Sequence, residues 1–478
     1  MFRLTLILSV IALTNNIRAN SEKPNVILIM CDDLGWGDVG FNGNKIIKTP
    51  NLDSMANSGI KFDRFYAAAP VCSPTRGSAL TGRHPFRYGI YYANTGHMKK
   101  KELTLAEIMK TKGYRTGHFG KWHLGTLTTK IKDANRGGPK GAKHFSTPQQ
   151  NGFDICFSTE SKVPTWDPML VPKKFSAGSS RRKWWNPLNE SKSADHYGTH
   201  YWDQNGKVVT ENLRGSNSRV IMDRAIPFMK SSLKSKLPFF TVIWFHTPHL
   251  PVIAGPKYTK MYQSHSKYQQ HYFGCITAMD EQIGRLRKAL KEANAHRNTM
   301  IWFCSDNGPE GNESAPGKTG GFRGRKRSLY EGGIRVPALL EWPGKVQNKR
   351  TIKCPVGTVD YLPTILSELN IKLPDSRPID GIDLNPIITN KVKVRGKPMG
   401  FQSNSIASLI TDRYKIVLNK KNKNVEMYDL IKDPFEKLNI ANEMREKASE
   451  LKSELNEWIK SCLNSDNGKD YQKSQSQN

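Results

Sequence analysis

The chain has 478 residues, 37% of them hydrophobic and 9% aromatic. That is room for one large domain plus a small one, or for two to three ordinary domains, and it excludes wholesale disorder. Net charge is +31, a field that attracts polyanions, and seven cysteines without a CxxC pair argue against a zinc–thiolate site.

In chain order, Met1-Phe2-Arg3 precedes an apolar run from Leu4 to Leu13 and a small residue, Ala19. Residues 1–19 therefore read as a signal peptide, too short to span a bilayer. No later stretch approaches the roughly 18 apolar residues of a membrane helix, so the expected protein is exported, without a stable membrane anchor. It would be secreted, lysosomal or periplasmic according to host. Export, and the lack of any nucleic-acid motif, argue against a nucleic-acid partner.

Asn25 to Met30 reads as a fully buried strand. Thr49 caps a helix with Pro50 in its first turn and Gly59 past its end. Thr104 to Lys112 is a second helix closed by Gly113, and Tyr114 to Phe119 is strand-like. Residues 130–214, rich in Gly, Ser, Pro, Trp and His, break the pattern and read as an insertion over one sheet edge. It carries the glycosylation-type triplet Asn189-Glu190-Ser191; Asn312-Glu313-Ser314 is another. Ser218 to Leu233 is amphipathic, Phe239 to Phe245 is a buried strand, a helix presents Met279, Ile283 and Leu286 on one face, and Thr299 to Cys304 is again a strand. This alternation predicts a doubly wound, mostly parallel α/β sheet within residues 20–380.

The texture changes near Gly381. Ala407 to Leu418 and Val425 to Leu430 read as antiparallel strands, and Asn442 to Cys462 as a terminal helix. That predicts a small α+β domain over 381–466, with 467–478 a polar, disordered tail.

Ligands of open α/β sheets bind beyond the carboxyl ends of strands. Asp32-Asp33 follows the first strand and Asp306-Asn307 follows the strand Thr299 to Cys304. Three carboxylates and an amide carbonyl form a hard oxygen shell, suited to Ca²⁺ or Mg²⁺. Alone, Asp32-Asp33 is better explained by capping and Asp306-Asn307-Gly308 by an ordinary turn; jointly with Cys72 they point to a metal. Cys72-Ser73-Pro74-Thr75-Arg76 has the Cys-x-Pro-x-Arg form read by the machinery that oxidises cysteine to formylglycine, an aldehyde whose hydrate carries two hydroxyls. Pro74 suits a first helical turn, which places residue 72 at a helix N-terminus with Arg76 one turn on. Lys121 and His123 follow another strand; a lysine can hold an anionic oxygen and a histidine can move protons near neutral pH, though alone the pair reads rather as a surface lysine and a core histidine. His246 and His249 follow a further strand, and Lys326 lies in a glycine- and arginine-rich loop before Tyr330 to Pro337. The other cysteines, Cys31 and Cys304 among them, read as buried free thiols. The basic clusters Lys99–Lys101, Arg181–Lys183 and Arg323–Arg327 fit an acidic substrate and solvated faces equally well.

Together, Cys31 to Asp38, Cys72 to Arg83, Gly120 to Gly125, Ser305 to Gly308 and Tyr330 to Pro337 resemble the formylglycine-dependent sulfatases of the alkaline-phosphatase superfamily, near the arylsulfatase A and N-acetylgalactosamine-6-sulfatase group. The resemblance spans roughly residues 25–375. It implies hydrolysis of sulfate esters of a sulfated sugar or polysaccharide, and maturation by a formylglycine-generating enzyme. It implies one Ca²⁺ held by Asp32, Asp33, Asp306 and Asn307, with residue 72 as formylglycine completing the shell. Arg76 and Lys121 would stabilise diol and sulfate, and His123 the hydroxyl later deprotonated. Lys326 and His249 would contact the sulfate and assist the leaving alcohol; His249 is chosen over His246 because it stands two residues before Pro251. One departure is Arg327, where relatives often carry a small residue. Substrate choice is expected in the 130–214 insertion, with Arg181, Trp184, Trp185, His196 and His200 as candidates. The alternatives are a phosphoester hydrolase of the same superfamily and a non-catalytic binder of sulfated glycans.

Overall fold

A computed structural model describes residues 23–172 and 195–471. The signal-peptide segment and Arg181, Trp184, Trp185 and Asn189 lie outside the described residues. The strands are β1 (Asn25–Cys31), β2 (Ile60–Tyr66), β3 (Arg115–Lys121), β4 (Ile155–Thr159), β5 (Tyr201–Asp203), β6 (Val208–Val209), β7 (Phe239–Trp244), β8 (Thr299–Ser305), β9 (Arg335–Glu341), β10 (Arg350–Ile352), β11 (Val356–Gly357), β12 (Met399–Ser403), β13 (Ile406–Ile410), β14 (Tyr414–Asn419) and β15 (Val425–Asp429). The α-helices are α1 (Pro50–Ser58), α2 (Cys72–Thr81), α3 (Leu105–Thr111), α4 (Asn217–Lys234), α5 (Pro256–Lys260), α6 (Lys267–Glu292), α7 (Glu331–Ile334), α8 (Tyr361–Glu368), α9 (Asn385–Ile388) and α10 (Arg445–Asp466).

The large sheet runs β10-β2-β9-β8-β1-β7-β3-β4-β5-β6, with β11 also paired to β2. Its centre is β1, parallel to both β7 and β8. Successive side chains of a strand point to opposite faces, and β1 divides accordingly. Val26, Leu28 and Met30 pack with α2, α3 and α8, while Ile27, Ile29 and Cys31 pack with α1, α4 and α6. Both faces are covered, which is why β1 reads as an unbroken apolar run.

Three expectations change. β9, a strand the sequence reading did not assign, lies antiparallel between β2 and β8. Pro337 sits within it, and the β2–β9 register shifts between Phe62 and Phe65, a bulge of the kind that admits proline. The 130–214 stretch extends the sheet edge with β4, β5 and β6. Residues 467–471, expected in the tail, are packed: Asp470 pairs with Arg83 at 2.6 Å, and the Tyr471 hydroxyl donates to Glu102.

The second sheet is antiparallel, β12-β13-β14-β15. It begins at Met399, and Leu384, Ile387 and Ile388 before it still pack in the main core. One of its faces packs on Tyr66, Ile334 and Val359, the other on Leu451 and Leu455 of α10. Between the sheets Lys415 is fully buried, 3.0 Å from Glu331 and 2.8 Å from Glu436, and Tyr66 donates to Glu331 at 2.9 Å.

His84 lies on the same seam. Its ring is 3.1 Å from the Ala68 carbonyl and meets Trp458 of α10 edge-on at 4.9 Å, near Asp380 and Arg87. Burial, opposed by Asp380 and aided by Arg87, lowers it from 6.5 to about 3. A depressed histidine contributes stability above its unfolded pKa and loses it as pH falls toward the folded one. This contribution is full above pH 6.5 and falls by about 2 kcal/mol by pH 5, at 1.36 kcal/mol per unit. Denaturant midpoints measured from pH 7 to 5 should fall, and should fall less in His84→Gln.

Candidate active site

The strand order assembles the site. Asp306 N–H donates to the Cys31 carbonyl, continuing the β1–β8 register one residue past Cys31–Ser305, so Asp32 and Asp306 become neighbours. Asp32 N–H donates to Thr247 O, and Phe245 N–H to Met30 O, which brings the segment after β7 alongside. Gly120 pairs with Trp244, setting Lys121 at the next strand end. Residues distant in sequence thus meet at four adjacent carboxyl ends, β8, β1, β7 and β3.

Cys72 is the first residue of α2, whose ten residues are all buried and which ends in left-handed Gly82. Its Sγ lies 3.4 Å from Asp32 Oδ1. Burial, then the Asp32 charge, pushes the thiol far above its usual range, so it is un-ionised and a poor nucleophile as cysteine. Arg76 reaches Asp306 at 2.6 Å and Asp32 at 3.6 Å, and its guanidinium lies over Trp244 at 5.2 Å. Lys121 holds Asp32 at 2.6 Å, and Lys326 holds Asp33 at 2.6 Å. His249 Nε2 is 3.7 Å from Asp33, while its Nδ1 bonds the Leu250 carbonyl at 2.7 Å. Asp32, Asp33, Cys72 and His249 each offer a ligand atom within 4.8 Å of the others.

The electrostatics follow from packing like charges out of water. Burial alone would raise Asp32, but Lys121, His249, Arg76 and Lys326 outweigh it and hold it well below the carboxylate range. Asp306 goes the other way, pushed up to about 7 by burial and by Asp32, against Arg76 and Lys121. Burial lowers His249 to about 4 despite both aspartates. Asp33 and His123 both have positive φ, 68° and 57°, backbone strain of a kind that collects at functional sites.

Asp32, Asp33, Cys72, Arg76, Lys121, His123, His249, Asp306 and Asn307 are buried, and Lys326 is half-buried with its amine turned inward. His123 takes a separate position, its Nε2 2.8 Å from Asn94 Oδ1, with Nδ1 buried and unpartnered. His246 contacts Thr159 Oγ1 at 3.3 Å and packs near Tyr201. Lys326 reaches Asp33 although Arg327 follows it. Arg327 takes φ +77°, donates its N–H to Pro70 O and turns its guanidinium onto Glu310. Glu310 also lies 3.4 Å from Lys326. Arg323 lies over Tyr330, and Arg325 donates to the Glu310 and Gly317 carbonyls, so this basic cluster is built into the protein. His200 is tied to Asp133 at 3.0 Å and His196 stacks on His200. All seven cysteines are buried free thiols.

Sequence reasoning missed Glu310, Asn94 and Lys162. Glu310 stands three residues past Asn307, a signal that was available. Lys162 follows β4, and burial, then Lys121 and Lys326, lowers its pKa; the rule that strand ends converge would have found it. Asn94 sits in an irregular stretch with no sequence signal.

A sulfatase family model matches residues 24–371. The chain belongs to the sulfatase family. A second model, the C-terminal part of N-sulphoglucosamine sulphohydrolase, matches residues 320–462. Rat (Rattus norvegicus) arylsulfatase G is 30% identical over 83% of this chain and 76% of its own length. Mouse (Mus musculus) N-acetylgalactosamine-6-sulfatase is 29% identical over 82% and 72%. Among solved structures, Ps i-CgsB has a TM-score of 0.77 at 27% identity, covering 91% of this chain and 92% of that one. The phosphonate monoester hydrolase of Agrobacterium radiobacter, at 18% identity and a TM-score of 0.64, shares the fold. This sulfatase is a sulfuric ester hydrolase. Among its described residues no helix is long and apolar enough to cross a membrane.

Removing one partner of a buried charge pair costs about 3–5 kcal/mol. Arg76→Met should therefore lower unfolding stability by about that much in chelator-treated protein, read from urea midpoints.

Proposed function

We propose that the protein hydrolyses sulfate esters of a sulfated carbohydrate, with residue 72 converted to formylglycine and one divalent cation, Ca²⁺ in preference to Mg²⁺, in the carboxylate cluster. The observation that carries this is the position of Cys72. Its Sγ, standing where the formylglycine oxygens would be, lies at the head of a buried helix, 3.4 Å from Asp32 and among the aspartates and lysines. A thiol that burial keeps un-ionised has little use there as a nucleophile; a hydrated aldehyde has.

The residues fit a cation. Asn307 Oδ1 is buried and has no hydrogen-bond partner, while its Nδ2 donates to Asp33 at 2.7 Å. An orphaned carbonyl beside three carboxylates is a hard oxygen donor set. Asp32, Asp33, Asp306 and Asn307 would hold the ion, with residue 72. When bound, it supplies positive charge at the nucleophile and the sulfate.

Arg76 and Lys121 flank residue 72, hold its hydrate and neutralise charge growing on the sulfate. Lys326 offers positive charge from the Asp33 side. His249 bonds Leu250 through Nδ1 and so presents Nε2. Neutral while the site is empty of substrate, it is driven toward protonation by an anionic ester beside it and can then protonate the departing alcohol. His123 takes the proton of the second hydroxyl, so that sulfate leaves and the aldehyde re-forms.

The structural neighbour at 27% identity is also known in complex with k-i-k-neocarrahexaose, and the net charge suits an anionic sugar. These support a sulfated carbohydrate substrate. The Cys72–Arg76 motif and the oxygen donor set favour it over a phosphoester hydrolase, and the filled site over a non-catalytic binder. We also infer export through residues 1–19 and maturation by a formylglycine-generating enzyme.

Mass spectrometry of active protein should find formylglycine in the peptide containing residue 72, and a screen of defined sulfated mono- and oligosaccharides should release sulfate. Cys72→Ala should release none, and activity in protein carrying only unmodified cysteine overturns the mechanism. Calcium at 100 times its dissociation constant should add about 2.7 kcal/mol of stability. Asp306→Ala should lose both bound metal and that gain; full metal retention would remove Asp306 from the site.

A further inference from the structure

Asn94 lies at the solvent edge of the site, in a stretch tied to the first turn of α2 by its N–H, which donates to Ser73 Oγ at 3.4 Å. Its φ is +63°. Two nitrogens converge on its side-chain oxygen, His123 Nε2 at 2.8 Å and Asn135 Nδ2 at 3.0 Å. Asn135 Nδ2 also donates to Ser161 Oγ at 2.9 Å. In this arrangement Asn94 turns its amide oxygen inward, where Asn135 Nδ2 also donates to it. The atom presented to His123 is therefore an acceptor, and the ring nitrogen facing it must carry hydrogen.

His123 Nδ1 is left with its lone pair. It is buried with no partner among the described residues, in a side chain only 4% exposed. We propose that Asn94 is a positioning residue that holds His123 in the Nε2–H tautomer, so that Nδ1 is the atom that accepts the proton when sulfate is released. This rests on the base role proposed for His123. In that step the free hydroxyl on residue 72 gives its proton to Nδ1, its oxygen forms the second C–O bond of the aldehyde, and the carbon–oxygen bond to sulfate breaks with its electron pair leaving on sulfate. The other groups around His123 favour a neutral ring. Burial first, then Lys121, Arg136 and Arg76, against Asp32, keep it well below its ordinary pKa. Charge thus keeps the ring neutral, and Asn94 decides which nitrogen is bare.

The test uses formylglycine-bearing enzyme labelled with ¹⁵N-histidine and single-turnover kinetics on one sulfate ester that it cleaves. Ring-nitrogen shifts of His123 should report the Nε2–H tautomer in the native protein. Asn94→Ala should lose that signature and slow sulfate release about 10-fold, as loss of an orienting partner does, while the alcohol burst stays intact. Asn94→Asp, an acceptor only, should restore both. An Nδ1–H tautomer in the native protein, or native sulfate release in Asn94→Ala, overturns the proposal. His123→Ala separates the two readings. If it slows alcohol and sulfate equally, the base role of His123 falls, and with it the proton step; the tautomer signal still scores the hold of Asn94.

Discussion

Like charges packed side by side away from water repel with little screening, and the carboxyl ends of β1 and β8 place three carboxylates in that position. The surroundings can be read as the answer to that repulsion. Arg76 lies across Asp32 and Asp306, Lys121 takes the other side of Asp32, and Lys326 takes Asp33. Each cation comes from a different element, so each element's placement is coupled to the others through the aspartates. Even so the compensation is incomplete: Asp306 rises to about 7, and Asn307 keeps a buried carbonyl without a donor. A site of this kind is built to receive positive charge.

Much of this was legible in the sequence because it depends on short-range signals. The apolar run of β1, the Pro50 and Gly59 boundaries of α1 and the Cys72–Arg76 helix start are all local. The convergence of Asp32 with Asp306 followed from the rule that ligands lie beyond strand ends. What escaped depends on pairing over distance. β9 carries a proline and charged ends, Arg335 and Glu341, and only its place between β2 and β8, with a bulge to admit Pro337, makes it a strand. β5 and β6 are three and two residues long and exist through their partners. Asn94 has no helix or strand to announce it.

The loop around Lys326 shows how a departure from family pattern is absorbed. A large side chain at Arg327 would crowd the site if it pointed inward. The left-handed backbone at that residue turns it toward Glu310 instead, and the same carboxylate approaches Lys326. One acid thereby steadies two neighbouring cations, and the lysine still reaches Asp33.

The buried Lys415–Glu331–Glu436 group bears on how such proteins diversify. Glu331 opens the short helix just after the Lys326 loop, while Lys415 and Glu436 belong to the far sheet and its following turn. The two family matches overlap between 320 and 371, and that overlap contains one of the three charges. A crossover that replaced only the antiparallel sheet would take from buried Glu331 its closest cation, leaving it Arg335 at 3.5 Å. The smaller sheet and the loop it touches therefore share one buried charge group, and exchanging the sheet alone costs stability that exchanging both together does not.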